Sequence, residues 1–352
     1  MAKHFLYILL ILASIIACEE IYVPELENVD DLLVVEAILI ADQTQNDIHL
    51  YKTLNFNSES NTYPAVTKAK VKLIDDKGVS TILTEVNNGT YRFNGLLDKN
   101  RKYYLSIVSG NDAYISEVQT VPDIPDIDVV YAAYDTKTST SGAVNSEEDV
   151  VTKPGFQVFA DISDKEDLNH YRFYGRKIIE YYDFYDTVMY GEPMKMPIYG
   201  WRSYLPSGTF NIAAPPKYSA EKNIKKHRLE FFNQNYYEFV ADTQYFAGWI
   251  YIIDQYGISE KAYNYYSDLN SQLEASGKIF DPVYVQAQGN ISCTNDPEKL
   301  VLGNFEIESH KEHRYILKYN RNSEKFSLKK ITQYYDIPGN GYIKDTPPVF
   351  WE

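Results

Sequence analysis

The densest group of acidic side chains in this sequence consists of Asp161, Asp164, Glu166 and Asp167. Carboxylate oxygens at this density are typical ligands of Ca²⁺. The spacing of an EF-hand loop is absent, and no glycine stands at the position of its sharp turn. A solvated turn between two strands is the favoured interpretation, and a calcium site is the alternative.

Other side chains that often carry catalysis give weaker signals. His310 and His313 are spaced so that both could share a metal ion on a helix, but their surroundings indicate a strand edge or loop without a third ligand. Motifs of serine hydrolases, zinc proteases and phosphate-binding loops are absent. We therefore expect neither a metal nor a catalytic residue. A glycosidase with two catalytic carboxylates is the alternative that stays open, because the sequence does not give the distances between carboxyl groups.

Cys18 is the residue whose surroundings most clearly predict covalent chemistry. It follows an uncharged apolar stretch, residues 5–17, that is shorter than the ~20 apolar residues of a membrane-spanning helix. The stretch ends in Ile15-Ile16-Ala17-Cys18, which is similar to the lipobox where bacterial lipoproteins are cleaved and acylated. We predict a signal peptide over residues 1–17, with covalent lipid on Cys18 and no other cofactor. An ordinary secretory signal is the alternative.

Two acidic residues, Glu19 and Glu20, follow the cysteine directly. They are similar to the export signal that sends lipoproteins of the Bacteroidota to the outer face of the outer membrane. The alternative is a solvated acidic tether over residues 18–31, where further acidic residues continue the run. If Cys18 carries lipid, Cys293 is the remaining thiol of the chain, and we expect it to be a small buried residue.

Tyrosine is unusually frequent, with 33 of the 352 residues. Tyrosine offers a large contact area and a hydrogen-bonding hydroxyl, which suits recognition of a ligand or a partner protein. The alternative is that these residues pack the sheets, because tyrosine favours strands. Pro and Gly residues between Tyr190 and Gly208 suggest an exposed aromatic loop there. The predicted aromatic patch consists of Tyr181, Tyr182, Tyr185, Tyr190, Tyr199, Trp201 and Tyr204.

The elements that must position these residues are mostly strands. Between Leu32 and Pro125, short alternating segments are separated by turns such as Asp75-Asp76-Lys77-Gly78. Residues 68–73 alternate lysine with apolar side chains, which places one face in a core and the other in water. This spacing predicts a small antiparallel β-sandwich, Ig-like or transthyretin-like, over residues 32–125.

The pattern of apolar residues predicts a second β-rich domain, with one or a few helices, over residues 126–352. Strand candidates are 155–162, 171–182, 249–253, 314–319 and 326–331, and residues 136–149 suggest a mobile loop. A helix near 260–276 is indicated by a possible cap at Ser259 and by Gly277 as its end. Its apolar face would contain Ala262, Tyr266, Leu269 and Leu273. The whole chain is therefore predicted to be mostly β.

Short segments throughout the chain resemble the Bacteroidota lipoproteins of domain-of-unknown-function family 4249. They are Leu33-Val34-Val35-Glu36-Ala37, residues 69–78, Gly89-Thr90-Tyr91, residues 121–128, Gly289-Asn290-Ile291, residues 295–298 and residues 301–305. The resemblance implies a surface lipoprotein encoded beside a SusC-like TonB-dependent transporter. It implies no catalytic residue.

Three functions are compatible with these observations. The leading expectation is a surface-exposed, lipid-anchored outer-membrane protein that serves a TonB-dependent barrel as an accessory or ligand-capturing subunit. The alternatives are a structural or adhesion module of the envelope and a hydrolase of surface polymers. A net charge of −15 opposes binding to nucleic acid or to anionic lipid, so the membrane contact is expected to come from the lipid anchor. The sequence does not identify the ligand.

Overall fold

Alternating apolar residues form strands where the sequence predicts them. In the first strand, Leu33, Val35, Ala37 and Leu39 are buried and the residues between them are more exposed. The computed structural model describes residues 32–54, 62–141, 149–163, 170–206, 208–218, 222–233, 245–274, 287–320 and 325–351. The predicted signal peptide, Cys18, Glu19 and Glu20 lie outside these residues. The described part is mostly β with one helix, which confirms the predicted fold class.

Among the described residues, nine strands lie before residue 125. They are β1 (Leu33–Ile40), β2 (Gln45–Lys52), β3 (Lys70–Asp75), β4 (Ser80–Ile82), β5 (Thr84–Asn87), β6 (Thr90–Asn94), β7 (Lys102–Ser109), β8 (Asp112–Ser116) and β9 (Gln119–Thr120). The alternating lysine segment forms β3, whose Val71 and Leu73 are buried as predicted.

Eleven strands and one helix follow in the described ranges. The strands are β10 (Val129–Ser141), β11 (Asp149–Ile162), β12 (Tyr171–Met189), β13 (Glu192–Tyr204), β14 (Asn211–Ala213), β15 (Ile224–Asn233), β16 (Tyr245–Gly257), β17 (Ile291–Cys293), β18 (Val301–Asn320), β19 (Lys325–Ile331) and β20 (Gly341–Lys344). The helix is α1 (Glu260–Glu274).

A first sandwich encloses one hydrophobic core. One layer is the sheet of β1, β2, β6 and β5, and the other contains β3, β4, β7, β8, β9 and β17. Its core joins side chains such as Val35 and Leu50 to Leu105 and Ile107. Cys293 of β17 is buried in the same core, which confirms the expectation for this thiol.

The sheet that contains β1 continues into the rest of the chain. β1 pairs in parallel with the first half of β18, from Leu33 opposite Val301 to Ile40 opposite Glu308. The sheet order runs β20-β13-β12-β16-β18-β1-β2-β6-β5. Strands from residues 291–308 therefore complete the first sandwich, while the division of the chain at residue 125 stays a prediction.

The long strands of the second part form two further cores on opposite faces of this sheet. On one face, β10, β11 and β15 form a separate sheet whose Val158 and Phe232 pack against Trp249 and Tyr251. On the other face, Ile178 and Trp201 are covered by the C-terminal segment through Ile337 and Phe350. Each face of the central strands is therefore buried.

Two segments differ from the sequence-based expectation of a loop. Residues 136–141 belong to β10 and pair with β11, which begins at Asp149, while residues 142–148 lie outside the described part. The expected aromatic loop from Tyr190 to Gly208 is instead mostly strand β13, paired with β12 across a tight turn at Tyr190 and Gly191. Backbone pairing along both strands overrides the local Pro, Gly, Ser and Thr signals.

The predicted helix is present as α1. The Ala262 amide donates a hydrogen bond to Ser259 Oγ at 3.1 Å, which confirms the N-cap. Ala262 and Tyr266 are buried, whereas Leu273 is exposed, so the apolar face is shorter than predicted. Gly277 lies outside the described residues. Among the described residues, no helix is long and apolar enough to span a membrane.

Candidate functional site

The residues of the predicted aromatic patch do not form one surface. Tyr181 and Trp201 are buried in the two cores on opposite faces of the central sheet. Tyr199 contacts Trp351, and the Tyr185 hydroxyl donates to Asp345 Oδ1 at 3.0 Å. Packing within the sheets therefore accounts for Tyr181 and Trp201.

The remaining members of the patch divide between packing and exposure. Tyr182 lies opposite Tyr199 across the two strands, and Tyr204 packs against the core that contains Tyr181. Tyr190 stands apart, because it is 99% exposed at the tip of the β12–β13 hairpin. Its φ of 55° is unfavourable for a tyrosine, and Gly191 follows with a φ of 87°. Neither burial nor backbone preference explains a tyrosine at this position.

The acidic cluster and the histidine pair are engaged within the fold where they are described. Asp161 Oδ1 accepts a hydrogen bond from the Lys226 amide at 2.8 Å, while Asp164, Glu166 and Asp167 lie outside the described residues. His310 contacts Asp254 at 2.7 Å, and His313 contacts Gln255 at 3.0 Å. In the described ranges, no group of three His, Cys, Asp or Glu side chains could hold a metal ion.

The sheet that runs from β20 to β5 belongs to both parts of the chain, and we call it the shared sheet. A cleft between α1 and the face of this sheet that points away from the first core brings together polar groups that the sequence did not single out. It encloses about 480 Å³. Strands β1, β2 and β18 form its floor, and α1 together with the segment before β14 forms its wall. Residues that line it include Glu36, Asp47, His49, Arg172, Tyr265 and Glu306.

Strand alternation explains why carboxylates lie under the helix. Phe305 and Ile307 of β18 point into the first core, so Glu306 and Glu308 lie on the opposite face. The helix covers that face, and both glutamates are buried there. Burial of two carboxylates on one strand is costly unless each finds a partner.

Glu308 finds its partner in Arg172 of β12. The guanidinium donates from Nε to Oε1 at 3.0 Å and from Nη2 to Oε2 at 2.6 Å. The Arg172 Cζ also lies 4.3 Å from the centre of the Tyr256 ring. Even so, burial is the largest influence on Glu308 and raises its pKa, while the Arg172 charge opposes that shift. The pair holds β12 and β18 together beneath the cleft.

Glu306 has a weaker set of partners. The Tyr266 hydroxyl donates a hydrogen bond to Oε1, whereas Oε2 is buried without a hydrogen-bond partner among the described residues. Burial, followed by the negative charge of Glu308, raises the pKa of Glu306 to about 8. Phe210 packs on the Tyr266 ring at 4.8 Å between centroids. Glu306 is thus an incompletely paired carboxyl group beside a cleft.

Two more carboxylates, Asp47 and Glu36, line the cleft. Asp47 forms two hydrogen bonds with Arg92, each 2.6 Å long, and this guanidinium lowers the pKa of Asp47. Glu36 accepts a hydrogen bond from the Tyr51 hydroxyl at 2.7 Å. The pKa of Tyr265 is raised by burial and then by the charges of Glu306 and Glu36, so its ring lies within the influence of both carboxylates.

Sequence reasoning missed this cleft because Glu306 and Glu308 alternate with apolar residues, which indicates a solvated face. A signal was nevertheless present: the predicted helix had to cover a sheet, and a covered sheet face converts exposed carboxylates into buried ones. The parallel contact between β1 and β18 places Glu36 opposite Asn304, two residues from Glu306 along the strand. This contact joins segments far apart in the chain.

Comparison with known proteins gives a family and no further relative. Neither the curated proteins nor the solved structures returned a match. A family model described as a domain of unknown function, DUF4249, matches residues 19–314. The match covers strands from the first sandwich and from the second part, and it includes the residues of the cleft. The chain therefore belongs to the DUF4249 family.

Proposed function

We propose that this protein is a lipid-anchored, surface-exposed outer-membrane protein that captures a small ligand and transfers it to a SusC-like TonB-dependent barrel. The observation that carries the proposal is the cleft beneath α1, which has aromatic walls and a recessed, incompletely paired Glu306. Clefts of this size with a few converging polar groups are typical ligand sites.

The anchor in this proposal is the lipid on Cys18. Each buried CH₂ contributes about 0.8 kcal/mol, so two or more acyl chains hold a protein at the bilayer on a cellular timescale. The net charge of −15 gives the folded part no electrostatic affinity for anionic lipid. The anchor therefore sets the location, and tethering raises the effective concentration of the cleft near the barrel.

The proposed contact with the barrel is the hairpin arm, which we define as residues 183–197. These residues lie beyond the last pairing of β12 with β16, at Tyr182, and of β13 with β20, at Ile198. A two-stranded ribbon is marginally stable alone. Its exposed apolar residues are Phe184, Val188, Met189, Tyr190 and Met194. An apolar tip on a protruding ribbon fits a pocket on a partner protein.

Affinity purification of the native protein from gently solubilised outer membrane tests this function. We expect a TonB-dependent barrel in near-stoichiometric amount, identified by mass spectrometry. Absence of any barrel would contradict the proposal. Recovery of adhesion or secretion proteins instead would support the alternative structural role in the envelope.

Hydrolysis of a surface polymer is the second candidate function. Glu36 and Glu306 line the same cleft, and the raised pKa of Glu306 is a property of many general acids. A glycosidase acid must reach the oxygen of the leaving group, whereas both oxygens of Glu306 are either buried or engaged by Tyr266. Release of reducing ends from a polysaccharide by the wild type, lost in Glu306→Gln, would establish hydrolysis.

A further inference from the structure

We propose that the cleft beneath α1 selects an organic cation, namely a protonated amine attached to a compact aromatic or apolar body. This inference rests on the proposed function and specifies its ligand. The ammonium group would lie against Glu36 within reach of the charge of the recessed Glu306, and the body would lie against the rings of Tyr265 and Phe210.

The balance of charge in the cleft favours a cation. The two arginines nearest the cleft are already paired, Arg92 with Asp47 and Arg172 with Glu308. Glu36 and Glu306 are hydrogen-bonded to tyrosine hydroxyls, which carry no compensating positive charge. A ligand with one positive charge therefore gains from Glu36 and favours ionisation of Glu306, and burial of Glu306 reduces screening of the resulting charge by water.

The walls of the cleft favour an organic body over a bare metal ion. Tyr265, Phe210 and Leu269 line one side, and a cation beside such rings gains from their negative faces. A hard metal ion such as Ca²⁺ needs about six or more converging oxygen ligands. Across the described ranges, no group of three acidic, His or Cys side chains meets that requirement.

Proton release gives the proposal a second readout. Burial and the charge of Glu308 raise the pKa of Glu306, which favours the protonated carboxyl group in the unliganded protein. An ammonium group favours the ionised form, and binding therefore releases a proton. Affinity for an amine should rise as the pH increases from about 6 to about 8. The groups that face Glu306 are Glu308, Arg172, Glu36, Asp47, His49, Tyr265 and Tyr266.

Calorimetric titration of the complete processed protein in lipid nanodiscs tests the inference. The probes are 2-phenylethylamine, its neutral analogue 2-phenylethanol, and calcium chloride. We expect saturable binding of the amine, at least about tenfold weaker binding of the alcohol, and no saturable binding of calcium. In Glu306→Gln and, independently, Glu36→Gln, amine affinity should fall by about tenfold or more. The exposed Glu298→Gln is the matched control and should bind like the wild type.

Several results would overturn the inference: no saturable binding of the amine, equal binding of the alcohol, or unchanged amine affinity in both cleft variants. A pH dependence that persists unchanged in Glu306→Gln would also contradict it, because the titrating group would then be a residue other than Glu306. Failure of these titrations with a barrel still co-purifying would overturn the ligand class alone. Amine binding without a barrel would overturn the transfer role alone.

Discussion

At the scale of single residues, Glu180 is a buried carboxyl group whose protonation should affect the stability of the fold. Its side chain is fully buried, and neither carboxyl oxygen has a hydrogen-bond partner among the described residues. Burial raises the pKa of Glu180 to about 8, an effect that the Lys318 charge reduces. The folded protein therefore holds a proton that the unfolded chain releases above its ordinary pKa of 4.5.

Because the folded protein binds this proton more tightly than the unfolded chain, its stability should decrease as the pH rises. The contribution of Glu180 to the free energy of unfolding is most favourable below pH 4.5. It decreases as the pH rises and stops changing above about pH 8. In Glu180→Gln the side chain stays neutral. We expect its free energy of unfolding to exceed that of the wild type by about 1–3 kcal/mol at pH 8 and to match it near pH 4.5.

Urea unfolding at several pH values measures this difference directly. Glu298→Gln, an exposed change of the same charge, serves as the control and should follow the wild type at every pH. A Glu180→Gln protein that is less stable than the wild type at pH 8 would show that Glu180 is ionised and paired in the folded state.

At the scale of elements, the β12–β13 hairpin shows where local signals mislead. Pro193 and Pro197 suggested a loop, but they lie on the part of β13 that has no described strand on its outer edge, where proline is tolerated. Gly200 also suggested a loop. A Cβ at this position would lie 2.4 Å from Tyr181 Cζ, so the ring passes over the strand where only glycine leaves room. Neither cause is visible in the sequence.

The turn of the same hairpin predicts opposite effects on stability and on partner binding. Asparagine tolerates the left-handed backbone of Tyr190 better than tyrosine does. We therefore expect Tyr190→Asn to stabilise the fold by about 0.5–1 kcal/mol and to reduce co-purification of the barrel. Thermal unfolding and quantitative mass spectrometry of the purified complex measure the two effects.

A second exposed tyrosine provides a matched control for this prediction. Tyr218 is fully exposed outside the hairpin arm, so Tyr218→Asn should leave barrel recovery unchanged. Equal recovery of the barrel with Tyr190→Asn and the wild type would rule out the tip as a contact.

At the scale of the whole molecule, the shared sheet is the feature that sequence could not provide. Several strands of the first sandwich, the helix and five of the eleven described strands of the second part follow from apolar spacing, which is a local property. These five strands are β11, β12, β16, β18 and β19. The pairing of β1 with β18 and of β8 with β17 joins residues that local patterns do not relate. The cleft is formed at the first of these pairings, which explains why its residues were not anticipated.

The shared sheet predicts that the first sandwich does not fold from residues 32–125 alone. That fragment lacks β17 and β18, whose Ile291, Cys293 and Phe305 belong to its core. We expect a poorly dispersed amide spectrum from the fragment by NMR and a well-dispersed one from the full protein. A well-dispersed spectrum from the fragment would show that the first nine strands form an independent domain.

Membrane attachment is a further property of the whole molecule. If the lipid on Cys18 is the anchor, Cys18→Ala should move the protein from the membrane fraction to the soluble fraction. The net charge of −15 gives the protein no electrostatic attraction to anionic lipid. Immunoblotting of fractions measures this shift. Retention of the variant on membranes through salt and carbonate washes would point to a different attachment.

The proposed function depends most directly on the chemical state of Cys18, and mass spectrometry of the N-terminal peptide of the purified protein determines that state. We predict a chain that begins at Cys18 and carries acyl chains on its sulfur and amino groups. An unmodified sulfur, or a chain that begins at another residue, would contradict the lipid anchor and the proposed place beside an outer-membrane barrel.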